Sequence, residues 1–185
     1  GTYYLNMKTV DVAGNWTSTY SSFGPFIISD ECGTNYCAAN PSSTGAPARI
    51  RALGSDTAAA NDLTIEAYDM PLNTFGLLAT SLAPGFVANP GGSQGNLCLG
   101  GSLGRYNANI MNSGATGSFQ IPLDLTMTPT SSGMASVAAG DTRYWQVWYR
   151  DATPTPPSNF TDPVPATFSL SCDRRAPTHA APERH

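Results

Sequence analysis

Alternation of apolar and polar residues with period two dominates the chain. Leu63, Ile65 and Ala67 alternate with Thr64, Glu66 and Tyr68, and Ala48, Ile50 and Ala52 alternate with Arg49 and Arg51. Phe119, Ile121, Leu123 and Leu125 form the cleanest series, and Val164, Ala166, Phe168 and Leu170 form the last. Successive side chains of a strand point to opposite faces, so each series predicts a strand with one buried face. Phe75 to Thr80 is a short apolar run, Leu97-Cys98-Leu99 lies between glycines, and Tyr144 to Arg150 is aromatic on both faces. Turn-forming Gly, Pro, Asn and Asp separate these runs. Seven or eight short strands in this arrangement predict an all-β fold, an antiparallel β-sandwich of immunoglobulin-like or jelly-roll-like type. No helix longer than a turn or two is expected; Thr57-Ala58-Ala59-Ala60 is the best candidate and is too short to stand alone.

Residues 1–29 read as a separate hairpin. Tyr3, Leu5 and Met7 alternate with Tyr4, Asn6 and Lys8, and Val10 and Val12 continue that strand. Ala13-Gly14-Asn15 is a turn signal. A second strand is predicted near Trp16 to Tyr20 and a short one at Pro25-Phe26-Ile27-Ile28. Two strands alone are marginal in water. The expected organisation is a hairpin piece over 1–30, a sandwich over 31–172 and a disordered tail over 173–185. In that tail Arg174-Arg175-Ala176-Pro177 opens a small, polar, proline-broken stretch.

Two resemblances sharpen this reading. Gly1-Thr2-Tyr3-Tyr4-Leu5 and Val10-Asp11-Val12-Ala13-Gly14-Asn15 resemble the last strands of bacterial immunoglobulin-like or fibronectin type III-like repeats. The second rests on Tyr36-Cys37, Asn40-Pro41-Ser42-Ser43-Thr44-Gly45-Ala46-Pro47-Ala48, Ala60-Asn61-Asp62-Leu63-Thr64, Leu97-Cys98-Leu99-Gly100-Gly101 and Trp145-Gln146-Val147-Trp148-Tyr149-Arg150-Asp151. In that order they resemble a module near the C-termini of large, predicted secreted bacterial proteins, over about residues 36–168. That resemblance implies location and architecture and carries no chemistry.

Composition fits an exported module. Charged residues are 12% of the chain, about half the usual quarter, and Gly (18) and Pro (15) are abundant. The four cysteines, Cys32, Cys37, Cys98 and Cys172, are an even set in a turn-rich chain. They predict two disulfides with three possible pairings and an oxidising, extracellular or cell-surface location. The module resemblance includes Cys37 and Cys98, which implies that these two pair and leaves Cys32 to Cys172. The net charge is −4. The adjacent arginines, Arg174 and Arg175, fall in the tail, so no basic patch offers itself to nucleic acid. No apolar run approaches the roughly 18 residues of a membrane span, so no membrane insertion is expected. The chain opens Gly1-Thr2-Tyr3-Tyr4 without an initiator Met or leader, and reads as a processed piece of something longer.

Both histidines, His179 and His185, lie in the tail. The body thus lacks the commonest general base, the usual partner of a nucleophile, and the commonest metal ligand. Glu66, with Asp62 and Asp69 nearby, is the best carboxylate for a small glycoside hydrolase, but its strand position faces solvent. Asp141, Asp151 and Asp162 sit beside turns, where Asp caps its own backbone. Asn61-Asp62 and Asp30-Glu31 are the nearest approaches to calcium clusters, without an EF-hand pattern, so no metal or cofactor is expected. Gly91-Gly92-Ser93-Gln94-Gly95 approximates a nucleophile elbow but lacks the helix and histidine, and reads as a flexible loop. Asn15-Trp16-Thr17 and Asn159-Phe160-Thr161 match glycosylation sequons by chance.

The aromatic strand offers a binding face. Alternation puts Trp145, Val147 and Tyr149 on one side and Tyr144, Gln146, Trp148 and Arg150 on the other. A tryptophan platform flanked by Gln and Arg suits a sugar ring, and Arg can grip a carboxylate or sulfate with two parallel bonds. The competing reading buries the strand on both faces, or stacks Arg150 on Trp148 for stability. The expected function is a non-catalytic accessory or structural module of a secreted multidomain protein. Its partners would be the other domains of that chain and, in the carbohydrate-binding alternative, a polysaccharide or cell-surface glycan.

Overall fold

The computed structural model describes residues 2–27, 31–151 and 158–170. The chain forms two compact units, Gly1–Asp30 and Glu31–His185. Cys172 and the tail after it lie outside the described residues.

In the first unit, β1 (Thr2–Met7) pairs antiparallel with β2 (Ser21–Ile27), with Leu5 opposite Phe23 and Met7 opposite Ser21. The strand predicted at Trp16 to Tyr20 does not form. That stretch makes a single bridge, Val10 to Trp16, and the return strand starts at Ser21. The reason is local: Asp11 Oδ1 accepts the backbone N–H of Ala13 and of Asn15, each at 2.9 Å, and Asn15 Nδ2 donates to Asp11 Oδ2 at 3.0 Å. A carboxylate that collects backbone donors competes with the ladder that alternation would otherwise extend. Those same bonds hold the Asp11 carboxyl below its ordinary pKa, the Asn15 side chain foremost.

The second unit runs β3 (Glu31–Cys32), β4 (Arg49–Leu53), β5 (Thr64–Tyr68), β6 (Phe75–Ser81), β7 (Ala83–Ala88), β8 (Asn96–Gly100) and β9 (Gly104–Asn112). It continues with β10 (Phe119–Pro122), β11 (Thr128–Thr130), β12 (Gly133–Ala135), β13 (Thr142–Arg150), β14 (Ser158–Phe160) and β15 (Val164–Thr167). One sheet has the order β10-β5-β4-β3 and the other β14-β13-β6-β9, with β15 paired to the first half of β13. All pairings between these strands are antiparallel.

The two sheets stack on a single hydrocarbon core, which makes the fold a β-sandwich. Ile50, Ala52, Ile65, Ala67, Phe119 and Ile121 face it from the first sheet. Leu78, Trp145, Val147, Tyr149, Val164 and Ala166 face it from the second. Burying each large aliphatic side chain is worth about 1.5–3 kcal/mol. Trp145 meets Phe168 edge to face, with ring centres 6.3 Å apart. Leu123 and Leu125 are buried as the alternation requires, although β10 ends at Pro122. Beyond that point the chain is held by Leu123 N donating to Leu63 O (2.8 Å) and Leu125 N donating to Asn61 Oδ1 (2.6 Å). The helix candidate at 57–60 is one turn of 3-10 helix, Ala58–Ala60.

The middle of strand β13, Trp145 to Val147, is buried on both faces, while Trp148 is half-buried and Arg150 exposed. Trp145, Gln146 and Val147 are all essentially inaccessible. The cover on its outer side is the antiparallel hairpin β7–β8, a third layer. Cys37 and Cys98 form a disulfide across 61 residues of chain, with Cα atoms 6.4 Å apart, and so tie β8 to the segment before β4. The proposed partner of Cys32 lies outside the described residues.

Candidate binding groove on the second sheet

Directly opposed residues on neighbouring strands project to the same side of a sheet. On the outer side of the second sheet, Trp148 of β13 lies opposite Phe160 of β14 and Leu77 of β6, and Leu77 lies opposite Ile110 of β9. The result is a row of four apolar side chains across four strands. Phe75 and Arg150, two residues along their strands from Leu77 and Trp148, share that side. Ile110 is 59% exposed and Phe75 56% exposed, while Trp148 is half-buried. A groove of about 420 Å³ opens here, lined by Leu77, Leu97, Leu103, Trp148, Phe160 and the one charged group, Arg105.

The outer side of the first sheet is built differently. There Gln120, Glu66 and Arg51 stand in one row. Gln120 Nε2 donates to Glu66 Oε1 at 3.1 Å, Arg51 Nε to Glu66 Oε2 at 2.5 Å and Arg51 Nη1 to Glu31 Oε1 at 3.3 Å. One outer surface is a hydrogen-bonded polar ladder and the other an apolar strip. Exposed apolar surface beside a concavity is the usual mark of a binding site.

The four residues expected to form the binding face divide between two places. Trp148 lines the groove, and Arg150 stacks on it from outside the lining, with the guanidinium carbon 5.0 Å from the centre of the Trp148 ring, a cation–π distance. Gln146 is turned into the protein and is 1% exposed. Its Oε1 accepts Cys98 N–H at 2.9 Å, and its Nε2 donates to Asn96 O at 2.9 Å and Thr161 O at 2.7 Å. A side chain so engaged holds the hairpin on the sheet and has nothing left for a ligand. Tyr144 packs edge to face on Tyr36, with ring centres 5.5 Å apart. Tyr36 in turn donates its hydroxyl to Cys98 O at 2.6 Å. Burial, with the neighbouring Tyr144, pushes the Tyr36 phenol up to about 12.

Other sequence candidates are absorbed by the fold. Both Glu66 oxygens are engaged by Arg51 and Gln120. Asp141 accepts the nearby Ala138 N–H at 3.0 Å, a local cap. Asp151 and Asp162 instead reach across the fold. Asp151 Oδ2 accepts Ser43 N–H at 2.9 Å, and Asp162 Oδ1 accepts Ile50 N–H at 3.0 Å. Asn61 and Asp62 stitch loops, Asp62 Oδ1 accepting Ser55 N–H. Among the described residues no three His, Cys, Asp or Glu side chains gather as metal ligands, and no helix is long and apolar enough to cross a membrane. Asp30 lies outside the described residues.

The segment 91–95, read as a flexible loop, is pinned on several sides. Ser93 is buried, its hydroxyl donating to Ser158 O at 2.9 Å, and Gln94 N donates to the same oxygen at 2.8 Å. Asn89 and Asn40 both donate to Gln94 O. Gly95 lies so close to the sequon residue Asn159 that a Cβ there would fall 2.2 Å from Asn159 Oδ1. Asn159 itself is buried, donating to Pro41 O at 3.0 Å. This bonding fixes the groove rim beside Pro90 and Gly91.

Leu77, Leu97, Phe160 and Arg105 join the groove although nothing in the sequence marked them as binding residues. An apolar run such as 75–80 does not reveal which of its faces stays open, and an isolated Arg105 carries no pattern at all. Fold and groove together describe a disulfide-bonded, all-β protein with an apolar recess on one outer face. No protein-family model, curated protein or solved structure matches the chain.

Proposed function

We propose that this chain is a non-catalytic accessory module of an exported multidomain protein, and that its working surface is the groove at Trp148, which takes a ring of a polysaccharide or cell-surface glycan. The observation that carries the reading is the inequality of the two outer faces. The chain solvates one with a ladder of polar side chains and leaves the other with Ile110 and Phe75 exposed and Trp148 and Leu77 half-buried. At about 420 Å³ the groove falls in the range of about 300–1,000 Å³ usual for small-molecule sites. A half-buried indole offers apolar area to the C–H face of a sugar with little entropy loss. Arg105 and Arg150 favour a ring that carries an acidic substituent. The Cys37–Cys98 disulfide supports an oxidising compartment.

Affinity electrophoresis through neutral and acidic polysaccharides tests this, with tryptophan fluorescence as the second readout. Retardation by at least one glycan is expected, with its loss in Trp148→Ala. Absence of retardation and of any fluorescence change across the panel rejects the glycan reading and leaves a spacer held together by its own hairpin cover.

A further inference from the structure

Five residues before Trp148, on the opposite face of β13, a guanidinium is buried without a counter-ion among the described residues. Arg143 is 4% exposed. Its Nε has no hydrogen-bond partner, and among the described residues no carboxylate pairs with it. Thr80 of the adjacent β6 is 1% exposed, and its hydroxyl is likewise without a partner. Both side chains line one cleft of about 330 Å³, together with Ser102 and with Ser131 and Ser132 of the β11–β12 turn. The wall opposite is tightly built: Gly104 lies so near β11 that a Cβ would fall 2.0 Å from Pro129 O. The cleft is therefore framed by backbone in contact with backbone.

Burying a charge without a partner is strongly unfavourable, and arginine is almost never fully buried unpaired. A lone unsatisfied donor is tolerable, but a cation and a hydroxyl unsatisfied in the same cleft, with further hydroxyls at its mouth, share a single remedy. An oxyanion would supply the missing charge and accept from every donor present. Guanidinium is the side chain best matched to planar or tetrahedral oxyanions, through short charge-assisted bonds.

We propose that this cleft is an oxyanion site. It takes a carboxylate or sulfate group on a body no larger than one sugar, with Arg143 as the charged anchor and Thr80, Ser131 and Ser132 donating around it. The site lies on the core side of β13 and stands or falls independently of the groove at Trp148.

The test uses the whole chain, titrated with sodium sulfate and with sodium glucuronate against sodium chloride at matched ionic strength. The readouts are melting temperature and the NMR signal of the Arg143 Nε–H. A saturable movement of that signal and a rise in melting temperature, absent with chloride, are expected. Saturation by sulfate alone, by glucuronate alone or by both identifies the group bound. Thr80→Val should weaken binding about fivefold, the usual worth of one hydrogen bond. Arg143→Met should abolish the anion effect, and its melting temperature in chloride should equal or exceed that of the wild type, because a stability cost has been removed. An Arg143 signal unmoved by either anion overturns the proposal even if no variant folds. An anion response that survives intact in Arg143→Met overturns it too.

Discussion

Replacing Gln146 by Leu tests the claim that one amide fastens the hairpin β7–β8 to the sheet. Leucine keeps roughly the volume of glutamine and removes only its polar atoms. Three bonds are lost: Cys98 N–H to Oε1, and Nε2 to Asn96 O and to Thr161 O. Cys98 and Thr161 are fully buried and Asn96 is half-buried, so water reaches at most one of the groups left behind. A stranded buried donor or acceptor costs about 1–3 kcal/mol. Two such groups, with partial relief at Asn96, give a loss of about 3–5 kcal/mol. At roughly 2–4 °C per kcal/mol for a domain of this size, the melting temperature should fall by about 10 °C. The assay is urea unfolding followed by tryptophan fluorescence with the disulfide intact, coupled to hydrogen exchange at the Cys98 amide. Exchange at Cys98 should accelerate more than exchange at β4 or β5 amides, because the fault lies under the hairpin. A loss below about 1 kcal/mol with Cys98 protection unchanged would refute the reasoning. Gln146→Glu is the sharper companion: it keeps an acceptor for Cys98 and sets oxygens against the Asn96 and Thr161 carbonyls, so it should be no better tolerated at neutral pH.

The remaining predictions follow from the disulfide and from one buried acid. Breaking Cys37–Cys98, by reduction or as Cys37→Ala with Cys98→Ala, opens a 61-residue loop and should cost about 4 kcal/mol by loop entropy; a change in unfolding midpoint equivalent to less than about 1 kcal/mol would show that noncovalent contacts, those of Gln146 and Tyr36 among them, hold the hairpin without the disulfide. Burial raises the pKa of Asp162 above the ordinary carboxylate value, against the opposing pull of its bonds to Asn35 and Ile50 and of Arg49. The folded state then holds a proton that the unfolded state releases, so this residue's contribution to stability falls as pH rises through that window and recovers in acid. Asp162→Asn, whose Oδ1 can still accept the Ile50 N–H, should melt above the wild type at neutral pH, with the gap closing as pH drops through the carboxylate range. A gap that widens on acidification contradicts the assignment.

Period-two alternation in the sequence determined β4, β5 and β10 of the first sheet and the core face of β13, but not the two-residue edge strand β3. Ile50, Ala52, Ile65, Ala67, Phe119 and Ile121 are buried because a side chain on a strand has only two directions, and the apolar one turns inward. Even where the ladder stops, as at Leu123 and Leu125, hydrophobic burial still follows the pattern. Alternation gave no such answer at Trp16 to Tyr20, where Asp11 draws backbone donors into a turn. It left β7, β9, β11 and β12 unmarked, since short or exposed strands draw no apolar stripe. It also marked Tyr144, Gln146, Trp148 and Arg150 as one face, and they are one face. Only the tertiary structure decided that a hairpin from 50 residues earlier covers Gln146 and leaves Trp148 open. The same holds for Arg143, which lies just outside the aromatic stretch Tyr144 to Arg150 and carries no pattern of its own until the fold buries it in the cleft it shares with Thr80. Local sequence sets which way a side chain points. What it meets there is set by long-range strand pairing and layer packing, which no single segment encodes.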